Sequence, residues 1–158
     1  MKEISQEDIG RRIRTENPWW DGNHTISQSH REMKPRPYIN LFYPLLKTRV
    51  RRAIVLMGPR RVGKTVMIHH VIQKLLDEGV QPESICYFSI DNPIYNGLGM
   101  DKLLDCYGKS SGVDYNSKEI YIFFDEVQYL RDWEVHLKSV VDTHANIRFT
   151  ASGSAAAA

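Results

Sequence analysis

The chain has 158 residues, about one domain's worth, and its 42% apolar side chains are enough to bury one core. The 21 Lys+Arg and 19 Asp+Glu leave a formal charge of +2, which argues against a histone-like polycation, while 25% charged with 10% aromatic residues argues against disorder. No apolar run approaches the roughly 18 residues of a membrane span, residues 1–14 have no apolar stretch of the secretory kind, and Cys86 and Cys106 alone build neither a disulfide framework nor a zinc site. A soluble cytoplasmic globular protein with no membrane partner is the expectation.

Residues 1–16 read as a short charged helix in which Ile4, Ile9 and Ile13 form a poor apolar stripe. Asn17-Pro18-Trp19-Trp20-Asp21-Gly22-Asn23 is turn chemistry around two tryptophans, which either pack on the domain or offer a surface to a partner or a base. Residues 23–37 are polar, with Pro35 and Pro37 two apart, and read as extended linker. A boundary is therefore expected between an N-terminal polar and aromatic extension, 1–37, and a core, 38–158. Residues 39–46 are apolar and predict a short helix. Arg49, Arg51 and Arg52 mark the edge of the core and, with Arg11, Arg12 and Arg14, form basic clusters that could touch nucleic acid, a reading the small net charge weakens.

From residue 53 the rhythm becomes strand, turn, helix, strand. Residues 53–57 (AIVLM) form a continuous apolar run of the kind buried on both faces in parallel sheets. Residues 64–78 follow with helical spacing: Met67, Ile68, Val71, Ile72, Leu75 and Leu76 on one half, and His69, His70, Gln73 and Lys74 on a half expected to be solvated. Gly79 ends that helix. Residues 84–90 are a second strand, with Cys86 as a packed thiol. A loop over 91–99 leads to a short helix over 100–107, with Leu103 and Leu104 inward, and a polar connection over 108–118. Residues 120–124 are a third buried strand ending in Asp125-Glu126. Asp132 is placed as the N-cap of a helix whose Trp133, Leu137, Val140 and Val141 share a face. Residues 147–151 are a fourth strand, running into Ser152-Gly153-Ser154. Four alanines then stand where a helix should begin, so the natural protein is expected to continue.

Strands alternating with helices predict an α/β fold, a doubly wound parallel sheet with helices on both faces. Such sheets take ligands at the C-terminal ends of their strands. The polar clusters at 58–65, 125–126 and 152–154 all fall there.

Gly58-Pro59-Arg60-Arg61-Val62-Gly63-Lys64-Thr65 fits G-x-x-x-x-G-K-[ST] at every fixed position. The two glycines permit backbone angles that turn amides inward as a nest for phosphate oxygens. The first helical turn, through Val66, adds unpaired N–H groups and the positive end of the helix dipole. Lys64 brings a mobile charge to the β- and γ-phosphates, and the Thr65 hydroxyl is a ligand for Mg²⁺. Arg60 or Arg61 could reach phosphate or an adjoining chain, or simply face solvent. Asp125, at the end of its apolar strand, is suited to hold the metal's water, and Glu126 to activate the attacking water. Ser152 and Ser154 either sense the γ-phosphate or are turn and cap residues. Tyr38 could contact an adenine or pack in the core, and no guanine-reading motif stands out.

GPRRVGKT after an apolar strand, then IFFDEVQYLRDWEVHLKSVVD, then IRFTASGS, resembles the AAA+-type P-loop ATPases of bacteria and archaea. Complete chains of that family continue into a helical lid and a C-terminal nuclease-like or winged-helix region. The resemblance covers roughly residues 35–155, and NPWW upstream is similar to some members. It implies an additional-strand P-loop core, truncated to its N-terminal nucleotide-binding part, with one strand lying between the phosphate-loop strand and the Asp-Glu strand. It also implies ATP and ADP as ligands with Mg²⁺, hydrolysis that drives domains beyond this chain, DNA or protein partners through those domains, and a homo-oligomer. The fifth strand, the lid and an arginine finger have no counterpart in these residues, so weak or absent turnover is expected of this piece. Two rival readings remain: a nucleotide-gated interaction module with little turnover, and a small P-loop phosphotransferase.

Overall fold

The computed structural model describes residues 5–48, 53–59 and 62–154. Within them the apolar runs pair as a four-stranded parallel sheet: β1 (Ile54–Gly58), β2 (Ile85–Ser89), β3 (Ile120–Asp125) and β4 (Ile147–Ser154). The spatial order is β1-β4-β3-β2, so the last strand in sequence lies between the first and the third. This is the inserted strand that the resemblance implies. Register places Gly58 opposite Ser154 and Ser89 opposite Asp125, which brings the C-terminal ends of all four strands to one edge.

Helices cover both faces. On one, Cys86, Phe88, Ile122, Phe124, Phe149 and Ala151 pack under α1 (Gln6–Glu16), α5 (Met100–Ser111) and α6 (Trp133–Thr143). On the other, Ile85, Tyr87, Tyr121 and Phe123 pack under α3 (Ile39–Leu46) and α4 (Lys64–Asp77). Alternation along each strand divides the two cores, because successive side chains point to opposite faces.

β1 departs from expectation. It sits at the sheet edge with β4 as its neighbour, and Val55 and Met57 are 45% and 43% exposed. They point to the face whose helices pack over the middle strands, so the apolar run is buried on one side only.

The N-terminal region also differs. α1 buries Ile9 and Ile13 against the sheet-side core despite its weak pattern. Trp19 is fully buried, and both Trp19 Nε1 and Trp20 Nε1 donate to the Ile85 carbonyl, at 3.0 and 2.9 Å. Asn17 acts as a mock strand residue on β2. Its amide donates to the Tyr87 carbonyl at 3.0 Å and its side-chain oxygen accepts the Tyr87 N–H at 2.7 Å. The outer edge of β2, which would otherwise present open ladder groups, is covered by these three side chains. A base-stacking role for Trp19 is therefore excluded. The stretch read as linker carries a short helix, α2 (Gln28–Arg31), and a buried Ile26.

Further along, α5 runs on to Ser111, past the expected end at 107. Gly108 sits inside it because a Cβ there would come within 3.0 Å of the Tyr115 ring, and Gly112, at φ 75°, makes the stop. Asp132 does stand at the α6 N-cap, but with φ 58° it accepts from Val135 and His136 through its backbone carbonyl rather than its carboxylate.

Candidate nucleotide-binding site

The glycine-rich loop leaves β1 and enters α4 at Gly63, whose φ of 85° only glycine adopts without strain. The first α-helical bond is Met67 N–H to the Gly63 carbonyl, 2.9 Å. The amides of Lys64, Thr65 and Val66 therefore precede the intrahelical ladder and remain as donors for an anion. Gly58 does not need glycine's freedom: its φ is outside the left-handed region and a Cβ would meet nothing within 4 Å. Val62 is half exposed, and Lys64 Nζ donates to the carbonyls of Gly58 and Pro59 at 3.1 and 2.7 Å. Arg60 and Arg61 lie outside the described residues, as do Arg49, Arg51, Arg52 and the four terminal alanines.

Asp125 is the hub of the opposite wall. It is 1% exposed and accepts from Thr65 Oγ1 at 2.6 Å, Tyr87 Oη at 2.6 Å, the Ser152 hydroxyl and the Glu126 amide at 3.1 Å. Charge-assisted bonds of this kind are the strong ones, and they lock the carboxylate against the loop. Burial, and then the Asp125 charge, raise the Tyr87 phenol well above its usual range, so it stays a neutral donor. Ser152 and Ser154 lie within β4 itself, fully or nearly buried, which excludes the turn-and-cap reading for Ser152, while Ser154 is the last residue of the strand. Ser154 Oγ has no partner among the described residues and sits across from Gly58.

Glu126 follows with φ 59°, a left-handed conformation that costs a non-glycine residue about 1 kcal/mol and clusters at functional sites. Its carboxylate accepts from Gln128 Nε2 at 2.5 Å.

Several residues that the sequence pattern did not single out belong to the site. Arg36 lies so close to the loop that a Cβ on Gly63 would sit 2.4 Å from its Nε. Arg36, Tyr38, Met57, Val62, Gly63 and Lys64 share a cavity of about 380 Å³. Tyr38 is 56% exposed there rather than packed in the core. His69 and His70, expected in solvent, turn inward. His69 is buried, stacks on His30 with ring centroids 3.8 Å apart, and bonds the Thr65 carbonyl through Nδ1 at 2.8 Å, while His70 reaches the His30 carbonyl at 2.7 Å. This part of the polar half of α4 is covered because α2 packs on it, while Lys74 stays exposed.

A model of the AAA domain family matches residues 50–158. The chain belongs to that family. It is a nucleotide-binding P-loop NTPase core of the AAA+ type. Uncharacterized protein MJ1637 of Methanocaldococcus jannaschii is 30% identical over 122 residues, 72% of this chain and 25% of that one. The chain thus spans about a quarter of the length of that relative. The structure of C. elegans PCH-2 is similar over 75% of this chain and 37% of that chain, at 14% identity and a TM-score of 0.46.

Thr65 and Asp125 offer a hydroxyl and a carboxylate, the hard oxygen donors that Mg²⁺ takes in small number beside substrate phosphates. No group of three or more His, Cys, Asp or Glu among the described residues could hold a metal unaided. The residues therefore fit a metal bound jointly with a nucleotide. No helix among them is long and apolar enough to cross a membrane.

Proposed function

We propose that this AAA domain binds ATP with Mg²⁺ and hydrolyses it, and that the nucleotide state switches or drives domains beyond the chain. The observation that carries the proposal is the 2.6 Å bond from Thr65 to Asp125, which joins the phosphate loop to the acidic strand end with Glu126 next in line. The amides from Lys64 to Val66, with Gly58 through Gly63, would cradle the phosphates, and Lys64 would leave the loop carbonyls to reach them. Arg36 adds a second cation over the same loop. The apolar wall of Met57 and Val62, with Tyr38 facing it, suits a nucleoside. Thr65 and Asp125 would hold Mg²⁺, which when bound neutralises charge on the phosphates. Glu126 would take the proton of the attacking water, and the Ser154 hydroxyl, without a partner among the described residues, would with Ser152 report the γ-phosphate. We place the protein in the cytoplasm, with residues 1–37 as an extension lying on a core of 38–158, and with DNA or a protein engaged through the further domains, in a homo-oligomer.

Mg-ATP binding and phosphate release, measured in the full-length protein, decide it. Lys64→Ala should weaken binding by about a hundredfold, roughly 2.7 kcal/mol. Glu126→Gln should keep binding and lose at least a hundredfold in turnover. Normal turnover by both variants would sink the proposal, and tight binding without release by the parent protein would favour the interaction-module reading.

A further inference from the structure

Gln128 lies in a single 3₁₀ turn, Val127–Tyr129, directly after the candidate base, and its amide is used at both ends. Nε2 donates to Glu126 Oε2 at 2.5 Å, and Oε1 accepts the Ser154 N–H at 3.2 Å. One planar group therefore ties the carboxylate at the end of β3 to the backbone at the end of β4. An amide is suited to this, since it carries a donor and an acceptor in fixed geometry.

Two further features show that the link is built rather than incidental. A Cβ on Gly153 would fall 2.8 Å from Gln128 Oε1, so glycine at that strand position leaves room for the amide where a larger residue would push it aside. Glu126 is held at φ 59°, which turns its side chain back toward residue 128. The buried Ser154 hydroxyl, like that of Thr150 further back on β4, has no partner among the described residues. A movement at that strand end on meeting a phosphate would be transmitted through the Gln128 amide to the carboxylate.

The geometry points to Gln128 as a positioning residue that couples the β4 end, at Ser154, to the orientation of Glu126. It touches neither nucleotide nor attacking water; it sets where the carboxylate lies. This rests on Glu126 acting as the base, and displacement of a base by about 1 Å is enough to lose turnover on the order of a hundredfold.

The test compares Gln128→Ala and the near-isosteric Gln128→Glu, which removes the donor and keeps the shape, each alone and combined with Glu126→Gln. Phosphate release and Mg-ATP affinity are measured for all, with thermal unfolding to establish folding. The expected result is a kcat reduced about tenfold to a hundredfold in both single variants, with KM and nucleotide Kd within about twofold of the parent, as for a group acting only on the chemical step. On Glu126→Gln neither substitution should reduce the residual turnover further, because residues acting as one unit are non-additive. Parental kcat in Gln128→Glu, a loss of affinity matching the loss of kcat, or a full additional loss on Glu126→Gln would each overturn the coupling. Full turnover by Glu126→Gln alone would instead remove the base reading, and the coupling with it. Glu126→Gln inactive beside a fully active Gln128→Glu removes the coupling alone.

Discussion

The bond between Thr65 and Asp125 joins two regions of unlike construction. On the acidic side, every residue of β3 from Ile120 to Asp125 is buried, and Phe124 is stacked between Phe88 and Phe149 at 5.6 and 6.1 Å. On the loop side, β1 lies at the edge of the described sheet with alternate residues exposed, and its loop turns on one left-handed glycine under the exposed Arg36. A closed wall thus fixes the carboxylate, while the wall proposed to take the phosphates is open to solvent. Preorganised polar groups are worth most where they need not move, and here the fixed groups are the donors around Asp125.

The largest expected effect measures that contrast directly. Phe124→Ala removes a ring from the middle of the stack and should cost about 3–5 kcal/mol in urea unfolding. Val55→Ala, on the half-exposed face of the edge strand, should cost about 1 kcal/mol or less. Equal losses would mean that the two walls are equally closed, and the comparison would fail.

A second test uses two acid–base groups, Glu16 and His69, that line one cavity with Thr65. Glu16 bonds the Tyr95 hydroxyl and the Ser89 amide and lies 3.5 Å from Arg12, yet burial outweighs these and raises its carboxyl from 4.5 to about 7. Between those values the native state keeps a proton that the unfolded chain has released. Its contribution is complete below 4.5 and is lost as pH rises through 7. His69 has the opposite sign: burial first, then His30, lower it from 6.5 to about 4. Its contribution is complete above 6.5 and is lost as pH falls through 4, and His30 shifts in the same direction. The two slopes therefore oppose each other between 4.5 and 6.5. Unfolding free energy should be nearly flat there in the parent, should climb with pH in Glu16→Gln, and should fall with pH in His69→Gln, each by about 3 kcal/mol across the window. Parallel curves for all three proteins would show that these groups do not titrate as a buried pair of opposite sense.

How much of this could be read from the residues follows the range of the interactions. Gly58 to Thr65 and the Asp125-Glu126 pair are local signals backed by the strand before them, and the structure brings them together at one sheet edge. The α3 span from Ile39 to Leu46 is likewise a local apolar pattern. Tyr87, Arg36 and Gln128 are not legible in this way. Tyr87 reaches Asp125 across 38 residues of chain, and Arg36 reaches Gly63 only because the segment before it folds back. His69 was placed on a polar helix face by periodicity, which carries no information about a second layer such as α2. Asn17 and the two tryptophans look like a turn because their partner is the open edge of β2, a feature that exists only once the sheet has formed.

The smallest effect tests the open side. Arg36 stands in a stretch read as linker, exposed, with its guanidinium against Gly63 and in the same cavity as Lys64. An exposed guanidinium contributes far less than a buried one, because water and salt screen it. Arg36→Ala should therefore weaken Mg-ATP binding only about fivefold, roughly 1 kcal/mol, against the far larger loss from Lys64→Ala. Arg36→Lys should recover part of this, since a point charge replaces the planar fork without its paired donors. The deficit should shrink as salt is raised from 50 mM to 500 mM, and titration of a fluorescent ATP analogue at both salts would read it. Tighter binding by Arg36→Ala would reverse the assignment, because the guanidinium would then be competing with the phosphates for the loop.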